Sequence, residues 1–162
     1  MRYGFTGSRH CSPEAKVTVV ETLKSLAPGE RYTTGACVGV DAFVGQMMLR
    51  LHPEAEHRVI VPSDRSRVDY WWTSRHLDGS TVAVAVAVET MPPDATYRDR
   101  NARIVACSDM LVAFPEHEED DQRSQWSGTW QTVRMARSAG LAVVVVVLAG
   151  SWPAERSAER PF

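Results

Sequence analysis

Four short polar turns contain the residue types that bind phosphate groups. They are residues 6–10 (TGSRH), 34–41 (TGACVGVD), 97–101 (YRDRN) and 127–130 (SGTW), and each lies at the start of a segment with a helical pattern. Glycine lets a ligand approach the backbone, and the first N–H groups of a helix have no partner inside that helix. If the turns meet at one edge of the fold, they predict a site for a phosphate or ribose group.

The candidate ligand-binding residues lie in and beside these turns, and several also have a purely structural interpretation. Asp41 could accept hydrogen bonds from a ribose hydroxyl or hold a neighbouring loop, but it is also a favourable acid for the first turn of a helix. Gly7 and Gly35 could simply end strands. The full candidate set is Gly7, Ser8, Arg9, Gly35, Ala36, Gly39, Asp41, Arg98, Arg100, Asn101, Ser127, Gly128, Thr129 and Thr132.

The third turn places two arginines one residue apart, at Arg98 and Arg100. Such a pair does not share one face of a helix, so at most one of them points into a crevice unless the helix starts late. Asn101 shares a face with Ile104 and Val105 and is therefore expected to be buried at the top edge of the sheet. A buried asparagine needs hydrogen-bond partners, which suits a loop-bracing and a ligand-contacting role equally.

Other residue types give weaker signals for chemistry. Ser8 and Ser127 could be nucleophiles, but no histidine is placed to activate either. The five histidines lack metal-ligand spacing, and the acidic run 116–121 (EHEEDD) is more typical of a solvated loop than of a cation site. The three cysteines form no CxxC pair and are typical of reduced thiols. We therefore expect no metal and no cofactor.

An aromatic and basic segment offers a third kind of site. Trp71 and Trp72 lie near Arg65, Arg67 and Arg75, which are the ingredients for stacking on single-stranded nucleic acid. The alternative is that both tryptophans pack as a lid or a dimer contact. The formal net charge of −2 favours that packing and argues against duplex DNA as a partner.

Hydrophobic periodicity supplies the elements that must position these turns. Strands are predicted at residues 3–6, 32–34, 59–61, 81–88, 110–114 and 142–148, and helices after Ser12, around Val44–Leu51, and at 98–108 and 127–139. Alternating strands and helices predict an α/β, Rossmann-like parallel sheet of about five or more strands with helices on both faces. In such folds, ligands bind beyond the carboxyl ends of the strands. The run of valines at 143–147 predicts a central strand covered on both faces.

The length of 162 residues fits one domain, which we place at residues 1–150 and follow with a polar tail at 151–162. The amino-terminal residues do not have the pattern of a signal peptide. The longest apolar run, at 141–149, is too short to span a bilayer as a helix. We therefore expect a cytoplasmic protein with no membrane partner.

Four segments together resemble the SLOG superfamily. They are residues 4–10 (GFTGSRH), 33–42 (TTGACVGVDA), 97–115 (YRDRNARIVACSDMLVAFP) and 127–146 (SGTWQTVRMARSAGLAVVVV). This Rossmann-like group includes the LONELY GUY phosphoribohydrolases, DNA-processing proteins of natural transformation, molybdenum-cofactor carrier proteins and many uncharacterised bacterial and phage proteins. The resemblance covers most of the chain, is weakest at 63–94, and implies an uncharacterised branch rather than one activity. It also implies a homodimer.

The resemblance implies roles for individual positions. Residues 7–9 correspond to a first nucleotide-facing loop, and Gly35, Gly39 and Asp41 to a second. Arg100 corresponds to the arginine of the phosphoribohydrolases' Arg-Lys motif. Asn101 occupies the position of the lysine in that motif.

The fourth turn departs from the pattern of the phosphoribohydrolases. Gly128 and Thr129 match the last two residues of their phosphate-binding Pro-Gly-Gly-x-Gly-Thr turn, but the Pro-Gly-Gly is absent. The expected catalytic glutamate falls on Gln131 or Thr132, and neither can act as an anionic base. The sequence therefore favours binding of a nucleotide or nucleotide-derived phosphorylated ligand. The alternative is an N-glycoside hydrolase of nucleoside monophosphates, with Arg100 and Asp41 as catalytic candidates.

Overall fold

The computed structural model describes residues 1–73 and 86–148, which form a six-stranded sheet flanked by helices. The strands are β1 (Arg2–Gly7), β2 (Arg31–Thr34), β3 (Glu56–Val61), β4 (Val86–Thr90), β5 (Met110–Phe114) and β6 (Ala142–Val145). Their order is β4-β3-β2-β1-β5-β6, and every neighbouring pair is parallel. The predicted Rossmann-like parallel sheet is confirmed.

Within residues 1–73 and 86–148, five α-helices connect the strands and cover both faces of the sheet. They are α1 (Pro13–Ser25), α2 (Val40–Leu51), the short α3 (Tyr70–Trp72), α4 (Tyr97–Ala106) and α5 (Gly128–Ser138). Val112 and Phe114 of β5 pack in a core cluster with α1 and α2. Leu111 and Ala113 of the same strand pack on the opposite face, against α4 and α5. Because side chains alternate along a strand, β5 serves both cores.

Side-chain caps fix the starts of α1, α4 and α5. The Ser12 hydroxyl accepts the Ala15 N–H at 3.1 Å, and Pro13 opens α1, as its sequence predicts. Thr96 and Asp99 form a reciprocal capping box, so α4 begins at Tyr97, one residue earlier than expected. Ser127 caps α5 by accepting the Trp130 N–H at 3.3 Å. These caps place the start of α4 and of α5 at the carboxyl edge of the sheet.

The prediction of a central, doubly covered strand at 143–147 is wrong. Within the described residues, β6 lies at the edge of the sheet beside β5 alone, and Val143–Val147 are only half-buried. A run of valines indicates apolar surroundings, but both an edge strand and a central strand can have such surroundings. The predicted strand at 81–88 is seen from Val86 onward, and its first five residues lie outside the described residues.

Among residues 1–73 and 86–148, no helix is both long enough and apolar enough to cross a membrane. The tail expected at 151–162 lies outside the described residues.

Candidate functional site

A cavity of about 630 Å³ opens at the carboxyl edge of the sheet, where the chain order places the ends of β1 and β5 side by side. Residues of all four predicted turns line it, namely Gly7, Ser8, Arg9, Asp41, Arg100, Asn101, Ser127, Gly128 and Thr129. In an open parallel sheet, this is the point where connections leave in opposite directions and ligands bind. The structure therefore brings together turns that are more than 100 residues apart in sequence.

Five candidates lie outside the cavity lining. Arg98 is exposed and lies in a separate groove between α4 and α5, so the two arginines of the third turn do point apart. The Thr132 hydroxyl is buried and donates to the Gly128 carbonyl at 2.8 Å. Gly35, Ala36 and Gly39 shape the turn beneath the cavity.

A buried ion pair forms the floor of the cavity. Arg100 Nη1 lies 2.9 Å from Asp41 Oδ2, and both side chains are almost completely buried. The Gly7 N–H donates to Asp41 Oδ1 at 3.2 Å. Both carboxylate oxygens of Asp41 are therefore occupied by the protein. This geometry matches the loop-holding interpretation of Asp41 better than the ribose-binding one.

The surroundings of the ion pair shift the proton equilibria of its neighbours. Burial raises the pKa of the Asp41 carboxyl, although Arg100 and the Gly7 N–H act in the opposite direction. Burial, followed by the charge of Asp41, raises the pKa of the Cys37 thiol to about 11, and Arg100 Nη2 lies 3.4 Å from its Sγ. Cys37 is therefore a protonated thiol at neutral pH rather than a nucleophile.

The glycines of the second turn make room for this pair. A Cβ on Gly35 would overlap Arg100 Nη1 and lie 2.5 Å from Asp41 Oδ2. Gly39 has a φ of 93° and packs against the backbone of Arg9. Close packing at Gly35, and close packing together with a positive φ at Gly39, therefore favour glycine at both positions for reasons other than ending a strand.

The amino-terminus of α5 faces the cavity beside Asn101. Ser127 caps the Trp130 amide, whereas the amides of Gly128 and Thr129 have no acceptor among the described residues. Asn101 is 6% exposed, which confirms that it is buried. Its Nδ2 would lie 3.9 Å from a Cβ at Gly128, and its Oδ1 has no hydrogen-bond partner in the part of the chain described.

Sequence reasoning missed several residues of the cavity wall. Tyr97, Glu116, His117, Arg123 and Trp126 all line it. Ser8 donates its hydroxyl proton to Glu116, and the His10 N–H donates to the Ser8 hydroxyl at 3.0 Å. Glu116 follows the end of β5 by two residues, so its position just after a predicted strand was the signal that could have identified it. The acidic run around it hid that signal.

The tryptophan pair does not form the stacking surface considered above. Trp72 is 1% exposed and packs in a core cluster with Val59 and Val61. Trp71 is half-buried and meets Trp72 edge-on, with ring centroids 4.8 Å apart. Trp72 is therefore a core residue, and Arg75 lies outside the described residues.

No group of three or more histidine, cysteine, aspartate or glutamate side chains with the geometry to hold a metal ion occurs within 1–73 and 86–148.

The sequence matches no protein-family model and no curated protein sequence. The fold resembles the X-ray structure of DNA processing protein A (DprA) from Streptococcus pneumoniae, with a TM-score of 0.63 and 18% sequence identity. The likeness covers 89% of this chain and 49% of the DprA chain, so this chain spans about half the length of that protein. The two proteins thus share a Rossmann-like fold, the fold implied by the SLOG resemblance.

Proposed function

We propose that this chain binds a nucleotide or nucleotide-derived phosphorylated ligand in the cavity at the carboxyl edge of the sheet. The observation that carries the proposal is the start of α5 beside Asn101. Two amides of α5 and the buried Oδ1 of Asn101 have no partner among the described residues. Buried polar groups in folded proteins are nearly always paired, so a ligand in the cavity would supply the partner that Asn101 lacks, and the exposed start of α5 can bind its anionic part.

The position of Gly128 supports a phosphate at the start of α5. A Cβ added there would meet only Asn101 Nδ2, at 3.9 Å, so the backbone is open to the cavity. The positive end of the helix dipole attracts an anion to such a place. Arg9 adds positive charge, because it lines the cavity and has no ion pair with a described residue.

The rest of the wall suits a nucleoside. Trp126 lines the cavity with 84% of its surface exposed, so its ring is accessible to a base. Aromatic bases stack on such rings. The Glu116 carboxylate can accept further hydrogen bonds, for example from ribose hydroxyls, because its polar contacts with the described residues are one hydrogen bond from Ser8 and His117 Nε2 at 3.9 Å.

Calorimetric titration with AMP, ADP-ribose and NAD tests the proposal. The wild-type chain should bind at least one of them, and Gly128→Ala should weaken binding about ten-fold or more, because its methyl group stands between the ligand and the amides. Ser138→Ala, at the other end of α5, is the matched control and should bind like the wild type. Absence of heat with every nucleotide would contradict the proposal.

Hydrolysis of the ligand is not part of the proposal, for a geometric reason. Asp41 and Arg100 hold each other in a buried ion pair, and both oxygens of the carboxylate are engaged. An acid–base role would require this pair to separate. Nucleoside monophosphates incubated with the chain should therefore be recovered intact by chromatography. Release of free base at high protein concentration would restore the N-glycosidase alternative.

Binding of single-stranded nucleic acid is a second candidate. The structurally similar protein is named for DNA processing, and Trp126 is an exposed ring on the rim of a cavity that also contains Arg9 and Arg123. Stacking on such a ring contributes about 1–3 kcal/mol per base. In a gel shift with labelled single strands, Trp126→Ala should weaken a salt-sensitive complex. Tyr70→Ala, which removes an equally exposed ring outside the cavity lining, should not.

A further inference from the structure

Among the described residues, three guanidinium groups lie within 6 Å of the centre of the Tyr97 ring. The Cζ atoms of Arg9 and Arg67 each lie 5.7 Å from the ring centroid, and that of Arg100 lies at 5.9 Å. Arg9 follows β1, Arg67 belongs to a 3₁₀ turn at Arg65–Arg67, and Arg100 comes from α4. Three separate segments of the fold therefore bring positive charge to one aromatic side chain that lines the cavity, with Arg9 and Arg100 in the lining and Arg67 beyond it.

Only one of these three charges is balanced by an ion pair within the described residues. Arg100 is paired with Asp41, whereas Arg9 and Arg67 are exposed and form no ion pair there. Asp64 attracts Arg67 electrostatically without forming an ion pair with it, and Asp64 and Glu116 each already accept a hydrogen bond. Asp64 caps the Ser66 N–H at 2.9 Å, and Glu116 accepts the hydroxyl proton of Ser8.

This arrangement costs free energy unless an anion is present. Each cation gains about 0.5–2 kcal/mol from the face of an aromatic ring, but like charges gathered on one ring also repel one another. A phosphate group between two guanidinium groups turns that repulsion into charge-assisted hydrogen bonds. Arginine is well suited to this because its planar fork matches the oxygens of a phosphate.

We infer that Arg9 and Arg67, held on Tyr97, form a second phosphate subsite, distinct from the amino-terminus of α5. The inference rests on the proposed function and deepens it, because it identifies the class of ligand. A ligand that uses both subsites carries two phosphoryl groups, as a nucleoside diphosphate or a dinucleotide-like molecule does. A nucleoside monophosphate fills only one of them.

Calorimetry with AMP, ADP and ADP-ribose tests the second subsite, because AMP and ADP differ by one phosphoryl group. The wild-type chain should bind ADP or ADP-ribose more tightly than AMP. Arg67→Gln should reduce that preference about ten-fold or more, the loss expected for a charge-assisted hydrogen bond. Arg65→Gln is the matched control, since it removes the same charge from the same turn, and Arg65 is not among the described arginines that lie over the Tyr97 ring. It should keep the wild-type preference.

Substitutions of Tyr97 test whether its ring is needed to position the arginines. Tyr97→Phe keeps the ring and should keep the preference for two phosphoryl groups. Tyr97→Leu removes the surface on which the arginines lie and should lose it, while thermal unfolding reports whether α4 is still folded.

The outcomes distinguish this inference from the function on which it rests. If the wild type binds nucleotides but does not prefer ADP or ADP-ribose to AMP, or if Arg67→Gln and Arg65→Gln behave alike, the second subsite is overturned and the proposed function stands. If the wild type binds none of the three, the proposed function fails and the subsite with it. Binding of a single-stranded oligonucleotide alone would overturn the small-ligand assignment.

Discussion

At the scale of single residues, the Asp41–Arg100 ion pair joins three turns of the cavity. Asp41 comes from the start of α2 and Arg100 from α4, and the Gly7 N–H attaches the end of β1 to the same carboxylate. Removing both charges from water is costly, so the pair stabilises the fold only as long as both members are present. Its main effect is to fix where the turns lie relative to one another.

Asp41→Ala should therefore lower the free energy of unfolding by about 3–5 kcal/mol, because it leaves the Arg100 charge buried without a partner. The double variant Asp41→Ala/Arg100→Met should recover a large part of that loss. Urea unfolding of the wild type, the single variant and the double variant measures both effects.

The exposed ion pair between Glu89 and Arg103 offers a control for this prediction. Arg103 Nε lies 2.6 Å from Glu89 Oε1, with both side chains partly in solvent. Glu89→Ala should cost no more than about 1 kcal/mol. If Asp41→Ala costs no more than Glu89→Ala, the buried pair does not have the role described above.

Some of these residue-level features could be read from the sequence and others could not. Helical geometry alone predicted that Arg98 and Arg100 point apart and that Asn101 is buried with Ile104. That Asp41 meets Arg100 depends on a contact across 59 residues of chain, for which no local pattern exists. Glu116 was hidden among acidic neighbours, because composition does not say which member of a charged run faces inward.

At the scale of elements, the turn between β2 and α2 depends on backbone conformations that side chains disfavour. Gly39 has a φ of 93° and lies against the Arg9 backbone, whereas Gly140, after α5, has a φ of 76° with open space around its Cα. Gly128 opens α5 with an ordinary φ and little nearby. An alanine would therefore meet backbone strain and overlap at position 39, backbone strain alone at position 140, and neither at position 128.

Alanine at these positions should therefore give a graded series of stabilities. Gly140→Ala should cost about 1–2 kcal/mol from the left-handed backbone alone. Gly39→Ala should cost more, since it adds an overlap with the Arg9 backbone. Gly128→Ala should be neutral or stabilising by up to about 1 kcal/mol, because alanine favours the helix. Chemical unfolding of the three variants gives the order, and a reversal between Gly39 and Gly140 would contradict it.

The sequence predicted the bounds of the elements well where capping or turn residues mark them. Ser12-Pro13 marks the start of α1, and the boundaries of β5 match the predicted 110–114. The order of strands in the sheet left no local signal. The valine run therefore predicted a buried strand at the centre of the sheet, whereas its residues are half-buried and β6 lies at the edge of the described sheet.

At the scale of the whole molecule, the register between β1 and β5 determines what meets at the cavity. The two strands pair from Tyr3 with Met110 to Gly7 with Phe114. Beyond their carboxyl ends, this register sets Ser8 beside Glu116. At the amino ends, the Arg2 side chain and N–H both bond to Asp109, and the Asp109 N–H donates back to the Arg2 carbonyl at 2.8 Å. A shift of one residue would turn every side chain to the opposite face.

The Arg2–Asp109 contact should make the stability of the molecule depend on acidic pH. Hydrogen bonds from Arg2 lower the pKa of Asp109 from 3.8 to about 2. A carboxylate with a lowered pKa in the folded state stabilises the fold above the unfolded-state pKa and loses that effect as pH falls through the folded-state pKa.

Asp109→Asn should therefore be less stable than the wild type above about pH 4, and the difference should shrink between pH 4 and pH 2. Urea unfolding at a series of pH values measures it. Arg2→Met should reduce the same pH-dependent part, because the Arg2 side chain is the largest cause of the lowered pKa and the Arg2 N–H, which remains, is the second. The double variant should be no more pH-dependent than Asp109→Asn. A constant difference down to pH 2 would mean that the charge of Asp109 does not hold this end of the β1–β5 pair, and that the backbone hydrogen bonds alone fix the register.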